Sequence, residues 1–180
     1  VIAVNGDAGV AKAFAALPFD HLLFTGSTQV GREVMKAASA NLTPVTLELG
    51  GKSPAIIADG FDLAETARRL MYGKLMNAGQ TCVAPDYALV PAATVARFIE
   101  ACRAAATAFY PTLATNPQYT SIINDRQFRR LTACIEDARA LGATIHALHG
   151  EPTDAERRRL SPVALTGVND QMRVMQEEIF

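Results

Sequence analysis

Residues 21–31 read HLLFTGSTQVG, an apolar run that leads directly into a glycine turn. From Thr28 onward, apolar residues recur at the spacing of one helix face. The stretch therefore predicts a strand, a tight turn at Gly26 and Ser27, and then a helix. A helix that begins directly after a strand presents free N–H groups, where a phosphate can bind. The spacing is not that of the G-x-G-x-x-G fingerprint, so the glycine turn by itself does not identify a phosphate site.

The alternation of strand and helix continues along the chain and predicts an α/β fold with mostly parallel sheets. A strand is expected at Val45–Leu49, where the period of two places Thr46 and Glu48 on one face. A helix with Asp62 as N-cap and Glu65 as its capping-box partner is expected to run to about Ala78. Further strands are expected at residues 1–4, 54–58, 86–90, 143–148 and 162–165, and further helices at residues 9–17, from 95, and from 124 to 142.

The composition is that of a packed globular protein. Of the 180 residues, 49% are hydrophobic and 19% are charged, which is enough apolar material for a core. The net charge of −1 predicts no nucleic-acid partner, and the run Arg157–Arg159 is expected to be a solvated face. No segment has the length and composition needed to cross a bilayer and no signal peptide is recognisable, so we expect no membrane partner and a cytoplasmic location.

Three cysteines lie far apart in the sequence and fit reduced thiols better than a disulfide framework. Cys102 and Cys134 fall on the apolar stripes of predicted helices, so both are expected to be structural. Cys82 instead follows Gly79-Gln80-Thr81, in a turn where backbone N–H groups are free to stabilise a thiolate or to hold an oxyanion. The spacing leaves a catalytic and a structural role for Cys82 both open, and it predicts no metal site.

Glu48 is a charged side chain between Leu47 and Leu49 at the end of an apolar strand. Such a carboxylate must be paired or solvated in a cleft, and in a cleft it could act as a general base. The alternative is a strand-end acid held by a backbone N–H or a nearby lysine, and the residues do not decide between the two. Lys52 is interpreted as a structural partner at the surface. The histidines are interpreted as structural as well, at positions His21, His146 and His149.

Four motifs, taken in order, resemble those of the NAD(P)-dependent aldehyde dehydrogenase family. LELGGKSP at residues 47–54 matches the family's glutamate motif, and GQTC at residues 79–82 matches its cysteine motif. Cys82 follows Glu48 by 34 residues, which also matches the family. FTGSTQVG at residues 24–31 matches the nucleotide-side turn, and EIF at residues 178–180 matches the start of the Glu-x-Phe-Gly-Pro motif. The resemblance covers the whole chain.

The resemblance implies that residues 1–49 are the C-terminal part of a Rossmann-like NAD(P)-binding domain and residues 50–180 most of an α/β catalytic domain. It implies that the Cys82 thiolate adds to an aldehyde, that the nicotinamide accepts a hydride, and that water activated by Glu48 hydrolyses the thioester. The Cys82 N–H would share the oxyanion with an Asn that the family supplies from upstream. Because Glu48 is present, hydrolysis is favoured over transfer of the acyl group to coenzyme A.

The resemblance also implies the contacts with the cofactor, which is expected to be NAD, with NADP as the alternative. Gly26 and Ser27 would contact the pyrophosphate, and Leu49 the nicotinamide end. Glu178 and Phe180 would contact the nicotinamide ribose.

Finer resemblances place the chain within the family. NLTPVT at residues 41–46 and VAPDY at residues 83–87 resemble the dimeric branch with fatty and aromatic aldehyde dehydrogenases, and LPFDHLL at residues 17–23 is similar to coniferyl aldehyde dehydrogenases. We therefore expect an aromatic, coniferyl-like aldehyde as substrate and a homodimer, with a fatty or aliphatic aldehyde as the alternative. Since the sequence has no initiator Met and stops abruptly at Phe180, we expect a piece of a longer chain. The resemblance implies that most of the dinucleotide-binding domain and the C-terminal oligomerisation arm lie outside it, so we expect the isolated piece to be inactive.

Two rival functions stay open from the sequence. A non-catalytic or truncated family member would keep the motifs in a structural role. A thiol acyltransferase or cysteine hydrolase would also use Cys82, but such enzymes need a histidine partner, and none stands at a suitable spacing.

Overall fold

The computed structural model describes all 180 residues, which form two compact units, Val1–Gly51 and Lys52–Phe180. The division falls within two residues of the domain boundary predicted from the sequence. The assignment of the first unit to cofactor binding and of the second to catalysis stays a prediction.

The first unit is a small strand-helix-strand arrangement preceded by a helix. Its elements are α1 (Ala8–Ala15), β1 (Leu22–Thr25), α2 (Thr28–Ser39) and β2 (Val45–Glu48). β1 and β2 pair in parallel, with Leu22 opposite Val45 and Thr25 opposite Glu48. The strand, turn and helix predicted from residues 21–31 are thus confirmed, and α2 is the crossover that a parallel pair requires.

Local side-chain caps explain where the two helices begin. The Asp7 carboxylate accepts hydrogen bonds from the N–H groups of Gly9 and Val10 at the start of α1. Ser27 has extended backbone angles and its hydroxyl accepts from the Val30 N–H, which makes it the N-cap of α2.

The strand predicted at residues 1–4 is absent. These residues run without regular structure, and Val1, Ile2 and Val4 are all exposed. In this unit β1 and β2 pair only with each other. The apolar run therefore has no neighbouring strand to bind its backbone groups, and hydrophobic residues alone do not form a strand.

The second unit contains four strands in two pairs and four α-helices. β3 (Pro54–Ile56) and β4 (Tyr87–Leu89) pair in parallel, and β5 (Thr144–Ala147) and β6 (Val163–Thr166) pair antiparallel. Two of the three strand pairs in the chain are therefore parallel, as the α/β pattern predicts. The helices are α3 (Leu63–Leu75), α4 (Val95–Phe109), α5 (Asp125–Ala140) and α6 (Arg173–Gln176).

The main core of the second unit lies between α3 and α4. Apolar side chains on the facing stripes of the two helices are buried together with Ile57 and Leu148, and they include Ala67, Met71, Leu75, Phe98, Cys102 and Ala106. Each large side chain buried in this way contributes roughly 1.5–3 kcal/mol to folding. A second cluster packs α5 against the end of the chain through Cys134, Ala138 and Met172. No helix of the protein is both long enough and apolar enough to span a bilayer.

The start of α3 confirms one half of the predicted capping box. The Asp62 carboxylate accepts from the N–H groups of Ala64 and Glu65. The Glu65 carboxylate does not return to the N-cap, because it binds the guanidinium groups of Arg68 and Arg69. The hydrogen bond from Arg68 is the largest cause that lowers the pKa of Glu65 to about 2, and the hydrogen bond from Arg69 is the next largest.

The run Arg157–Arg159 differs from the predicted solvated face. Only Arg157 is exposed, and it pairs with Asp154. Arg158 donates to the backbone carbonyl of Ile122, and Arg159 donates to that of Leu113. The run therefore binds loops of the protein itself, because backbone carbonyls that lack secondary-structure partners need donors.

Candidate active site

The candidate nucleophile lies on a turn with an unusual backbone. α3 ends at Leu75, three residues earlier than predicted, and a short 3-10 turn follows at Met76–Gly79. Within it Asn77, Ala78 and Gly79 have φ values of 53°, 54° and 81°, all in the left-handed region. Two of these residues carry a side chain, and each such residue costs roughly 1–2 kcal/mol. The surrounding contacts must therefore hold the turn in place.

Gln80 provides those contacts with its side-chain amide. Its Nε2 donates to the carbonyls of Asn77 at 3.0 Å and Ser121 at 3.2 Å, and its Oε1 accepts the Ile123 N–H at 2.9 Å. Asn77 returns a hydrogen bond from Nδ2 to the Gln80 carbonyl at 3.1 Å. The turn is thus tied to the loop at residues 121–123. The sequence gives no sign of this role for Gln80, because the loop that it binds is about 40 residues away.

Cys82 sits at the open end of this turn with its residue exposed to solvent. Its backbone N–H makes no hydrogen bond within the chain, while its carbonyl accepts from the Ser53 hydroxyl at 3.5 Å. A free N–H beside an exposed thiol can donate to an oxygen that becomes negative when sulfur attacks a carbonyl. The geometry therefore suits a nucleophile with its own oxyanion donor.

The other two thiols are buried, as predicted. Cys102 is in the α3–α4 core and Cys134 lies against Met172, with 5% and 2% of their surfaces exposed. Burial raises the pKa of Cys102 to about 11. Burial also raises the pKa of Cys134. Cys82 is therefore the one accessible thiol of the chain.

Lys52 is not the surface partner that the sequence suggests. Its amine pairs with the Asp86 carboxylate at 2.9 Å, and the two side chains are only 21% and 3% exposed. The same amine donates to the carbonyls of Val174 at 2.7 Å and Glu177 at 3.0 Å. Lys52 therefore connects the loop after Gly51 to the segment that leads to Glu178.

Glu178 and Phe180 lie on that segment and differ in exposure. The Oε1 of Glu178 is buried and has no hydrogen-bond partner, whereas Phe180 is exposed. Burial lowers the pKa of the nearby Lys74 amine. The charge of Lys52 also lowers this pKa, whereas the charges of Asp86 and Glu178 raise it. A buried acceptor without a partner is costly for the free protein, and a ligand hydroxyl would satisfy it.

In the first unit, the glycine turn leaves backbone donors free. The Gly26 N–H donates to the Glu48 carbonyl, whereas the N–H groups of Ser27, Thr28 and Gln29 make no hydrogen bond in the chain. A side chain at Gly26 would place its Cβ 2.6 Å from the far end of the Phe24 ring, so that ring would have to move to accommodate any other residue. Free donors at the start of a helix of 12 residues fit a pyrophosphate.

Glu48 lies at the end of β2 in the same unit. The predicted alternation is confirmed, because Thr46 and Glu48 are exposed while Val45 and Leu47 are partly buried. The Glu48 carboxylate forms no ion pair or hydrogen bond in the chain. The alternative of a strand-end acid held by a backbone N–H or a lysine is therefore wrong, and the carboxylate is exposed to solvent. Leu49 is partly buried and lies against Gly31.

The histidines have structural partners, as the sequence analysis predicted. His21 binds the Thr46 hydroxyl and His146 binds that of Thr166. His149 lies between the Tyr110 carbonyl and the Glu151 N–H. A cysteine hydrolase needs a histidine bound to its thiol, and none of these rings makes such a bond.

The profile of the aldehyde dehydrogenase family matches residues 1–180 of this chain. The chain belongs to the aldehyde dehydrogenase family. It is 53% identical over 180 residues to a probable coniferyl aldehyde dehydrogenase of Pseudomonas aeruginosa, covering 100% of this chain and 37% of the relative. It is 46% identical over 180 residues to a coniferyl aldehyde dehydrogenase of a Pseudomonas species, covering 98% of this chain and 37% of the relative. The chain thus spans little more than a third of these relatives.

Solved structures of aldehyde dehydrogenases share the fold. The substrate-bound state of Staphylococcus aureus AldH superposes with a TM-score of 0.87 at 37% identity, over 98% of this chain and 38% of that one. A Pseudomonas syringae AldC mutant, solved in complex with NAD+ and octanal, superposes with a TM-score of 0.83 at 31% identity, over 98% and 38%. The predicted family and fold class are therefore confirmed, whereas the roles of the site residues stay predictions.

Proposed function

We propose that the protein to which this chain belongs oxidises an aldehyde to a carboxylic acid with NAD(P)+. The observation that carries the proposal is the exposed Cys82 thiol, next to a free N–H group on a turn held by Gln80. In a family member, a thiol presented in this way suits covalent attack on a carbonyl. A non-catalytic member would have no need to maintain a strained turn beneath an exposed cysteine.

In the proposed reaction the Cys82 sulfur adds to the aldehyde carbon, and the Cys82 N–H donates to the resulting oxyanion. When bound, NAD(P)+ would supply the hydride acceptor, so that loss of a hydride from that carbon would leave a thioester on Cys82. The Glu48 carboxylate then takes a proton from water, whose oxygen attacks the thioester carbonyl. The carbon–sulfur bond breaks, the carboxylic acid leaves, and Glu48 passes its proton to solvent.

Each unit has residues that we propose as contacts for the cofactor. In the first unit, the free N–H groups at Ser27 and the close backbone approach allowed by Gly26 would bind the pyrophosphate. Leu49 would contact the nicotinamide end. In the second unit, the unpaired Glu178 carboxylate and the exposed Phe180 would contact the nicotinamide ribose.

An aromatic, coniferyl-like aldehyde is the proposed substrate, and the names of the Pseudomonas relatives support it. A fatty or aliphatic aldehyde is the second candidate, since the Pseudomonas syringae structure was solved with octanal. A homodimer is the proposed assembly, from the resemblance to the dimeric branch.

The test uses the full-length protein with NAD+ and either coniferyl aldehyde or octanal, with NADH formation as the readout. Cys82→Ala should reduce turnover by at least about a thousandfold, as loss of a covalent nucleophile does in other enzymes. Glu48→Gln should give one burst of NADH followed by slow turnover, because the thioester forms but is not hydrolysed. Cys102→Ala is the matched control and should keep its turnover. Equal turnover in Cys82→Ala and the wild type would refute the proposal.

A further inference from the structure

The segment at residues 174–180 is held by charged side chains through its backbone. Lys52 donates to the carbonyls of Val174 and Glu177. Arg130, on α5, donates to the carbonyls of Glu178 and Ile179. The Asp86 carboxylate accepts from the Ile179 N–H at 3.4 Å as well as from Lys52.

These bonds fix the backbone on both sides of Glu178 and leave its carboxylate unused. The Oε1 of Glu178 is buried without a partner. The Lys52 side chain is only 21% exposed, and its amine donates to the Asp86 carboxylate and to the two carbonyls. A lysine whose amine is bound in this way by its own chain holds the neighbouring backbone in place, and it can thereby decide where an adjacent carboxylate points.

We propose that Lys52 is a positioning residue that holds Glu178 for the ribose of the nicotinamide half of the cofactor. The inference rests on the proposed function, in which Glu178 contacts that ribose. Lys52 bonds the carbonyl of Glu177 directly before Glu178, and through Asp86 it reaches the N–H of Ile179 directly after it. Loss of Lys52 therefore frees the Glu177 carbonyl before Glu178 and leaves Asp86, which binds the Ile179 N–H after it, without its cation, while Arg130 still holds the carbonyls of Glu178 and Ile179.

The proposed role of Lys52 concerns only the nicotinamide half of the cofactor. NAD+ contains the nicotinamide ribose and ADP lacks it, while both contain the pyrophosphate expected at Ser27. Lys52 should therefore matter for NAD+ and not for ADP. If Lys52 served only to stabilise the fold, its replacement would weaken the binding of NAD+ and of ADP alike.

The test measures the dissociation constants of NAD+ and ADP by calorimetry, with full-length protein. Lys52→Met should weaken NAD+ binding at least about tenfold and raise the KM for NAD+ in step, while ADP binding stays within about twofold. Because Lys52→Met leaves Asp86 buried without a cation, the double variant Lys52→Met with Asp86→Asn is measured beside it and should behave alike. Arg103→Met is the matched control, since Arg103 donates to the carbonyl of Ala147, and should change neither constant.

A variant of Glu178 shows whether Lys52 acts through it. Glu178→Ala should weaken NAD+ binding, and adding Lys52→Met to it should cause little further loss. Equal weakening of NAD+ and ADP by Lys52→Met, or full additivity with Glu178→Ala, would overturn the inference. Failure of the proposed function looks different, because then the wild-type protein itself forms no NADH with any aldehyde.

Discussion

Gly79 is the glycine in the left-handed part of the cysteine turn. Its φ of +81° disfavours any side chain, and an added Cβ would lie 3.1 Å from the Lys74 carbonyl. Gly79→Ala should therefore destabilise the protein by roughly 1–3 kcal/mol. Gly60 is the matched control, because its φ is +84° but nothing lies within 4 Å of its Cβ position. Urea unfolding of full-length variants should show the larger loss for Gly79→Ala, and equal losses would refute the steric argument.

The three thiols should react with iodoacetamide in an order set by burial. Cys82 is exposed and should be labelled first, whereas Cys102 and Cys134 are buried. Burial raises the pKa of Cys102 to about 11, so little of its reactive thiolate exists below that pH. Mass spectrometry of peptides from the native protein should find label on Cys82 alone near neutral pH. Label on all three at similar rates would contradict the assigned burial, and labelling in urea provides the control.

Several site residues could be predicted from the sequence because their signals are local. Cys82 follows a glycine turn and Glu48 ends an apolar strand, so neighbouring residues mark both. The position of Lys52 was not predictable in the same way, since its hydrogen bond to the Glu177 carbonyl spans 125 residues. Contacts between residues so far apart in the sequence follow from tertiary folding, and no local sequence pattern predicts them.

At the scale of elements, Gln80 connects the cysteine turn to the loop at residues 121–123. Its amide nitrogen donates to two backbone carbonyls. The variant Gln80→Glu would replace this donor with a carboxylate oxygen, which would repel the carbonyl oxygens. We expect a loss of roughly 1–3 kcal/mol in unfolding free energy, with slower labelling or turnover at Cys82. Gln127→Glu is the matched control, because the Gln127 oxygen accepts from Arg130 and a carboxylate would still accept. If both variants unfold at the same urea concentration, Gln80 does not hold the turn.

The boundaries of the helices show which elements the sequence predicts well. α5 begins after Asn124, whose side chain accepts from the Gln127 N–H as its pattern indicates. α3 ends three residues earlier than predicted, because Asn77 and Ala78 adopt left-handed backbone angles. The sequence does not indicate this end, since neither residue is a glycine or a proline. α6 was not predicted, since its four residues are too few to show a period.

At the scale of the whole chain, the α/β class follows from the alternation of strands and helices, and two parallel pairs confirm it. The pairing itself did not follow from any single strand. The apolar residues 1–4 resemble β1 in composition, yet only β1 has a partner strand in its unit. Strand formation therefore depends on a partner strand, whereas the helices are indicated by the local spacing of apolar residues.

The stability of the whole protein should depend on pH through Lys74. Burial lowers the pKa of its amine below the ordinary 10.5, with attraction from Asp86 opposing the shift. Between the folded and unfolded pKa values the unfolded chain binds more protons, so stability rises with pH through that window. Lys74→Met removes the cost of burying the charge. The variant should therefore be more stable than the wild type near neutral pH, and the difference should shrink as the pH rises toward 10.5.

Urea midpoints of full-length wild type and variant, measured across that pH range, provide the readout for Lys74. Lys36→Met is the control, because Lys36 is exposed and its replacement removes a charge without relieving burial. A gain of equal size at every pH would show that added apolar contact, and not the buried charge, is responsible. A loss of stability near neutral pH would show that attraction from Asp86 and Glu178 outweighs the cost of burial, which reverses the sign of the argument.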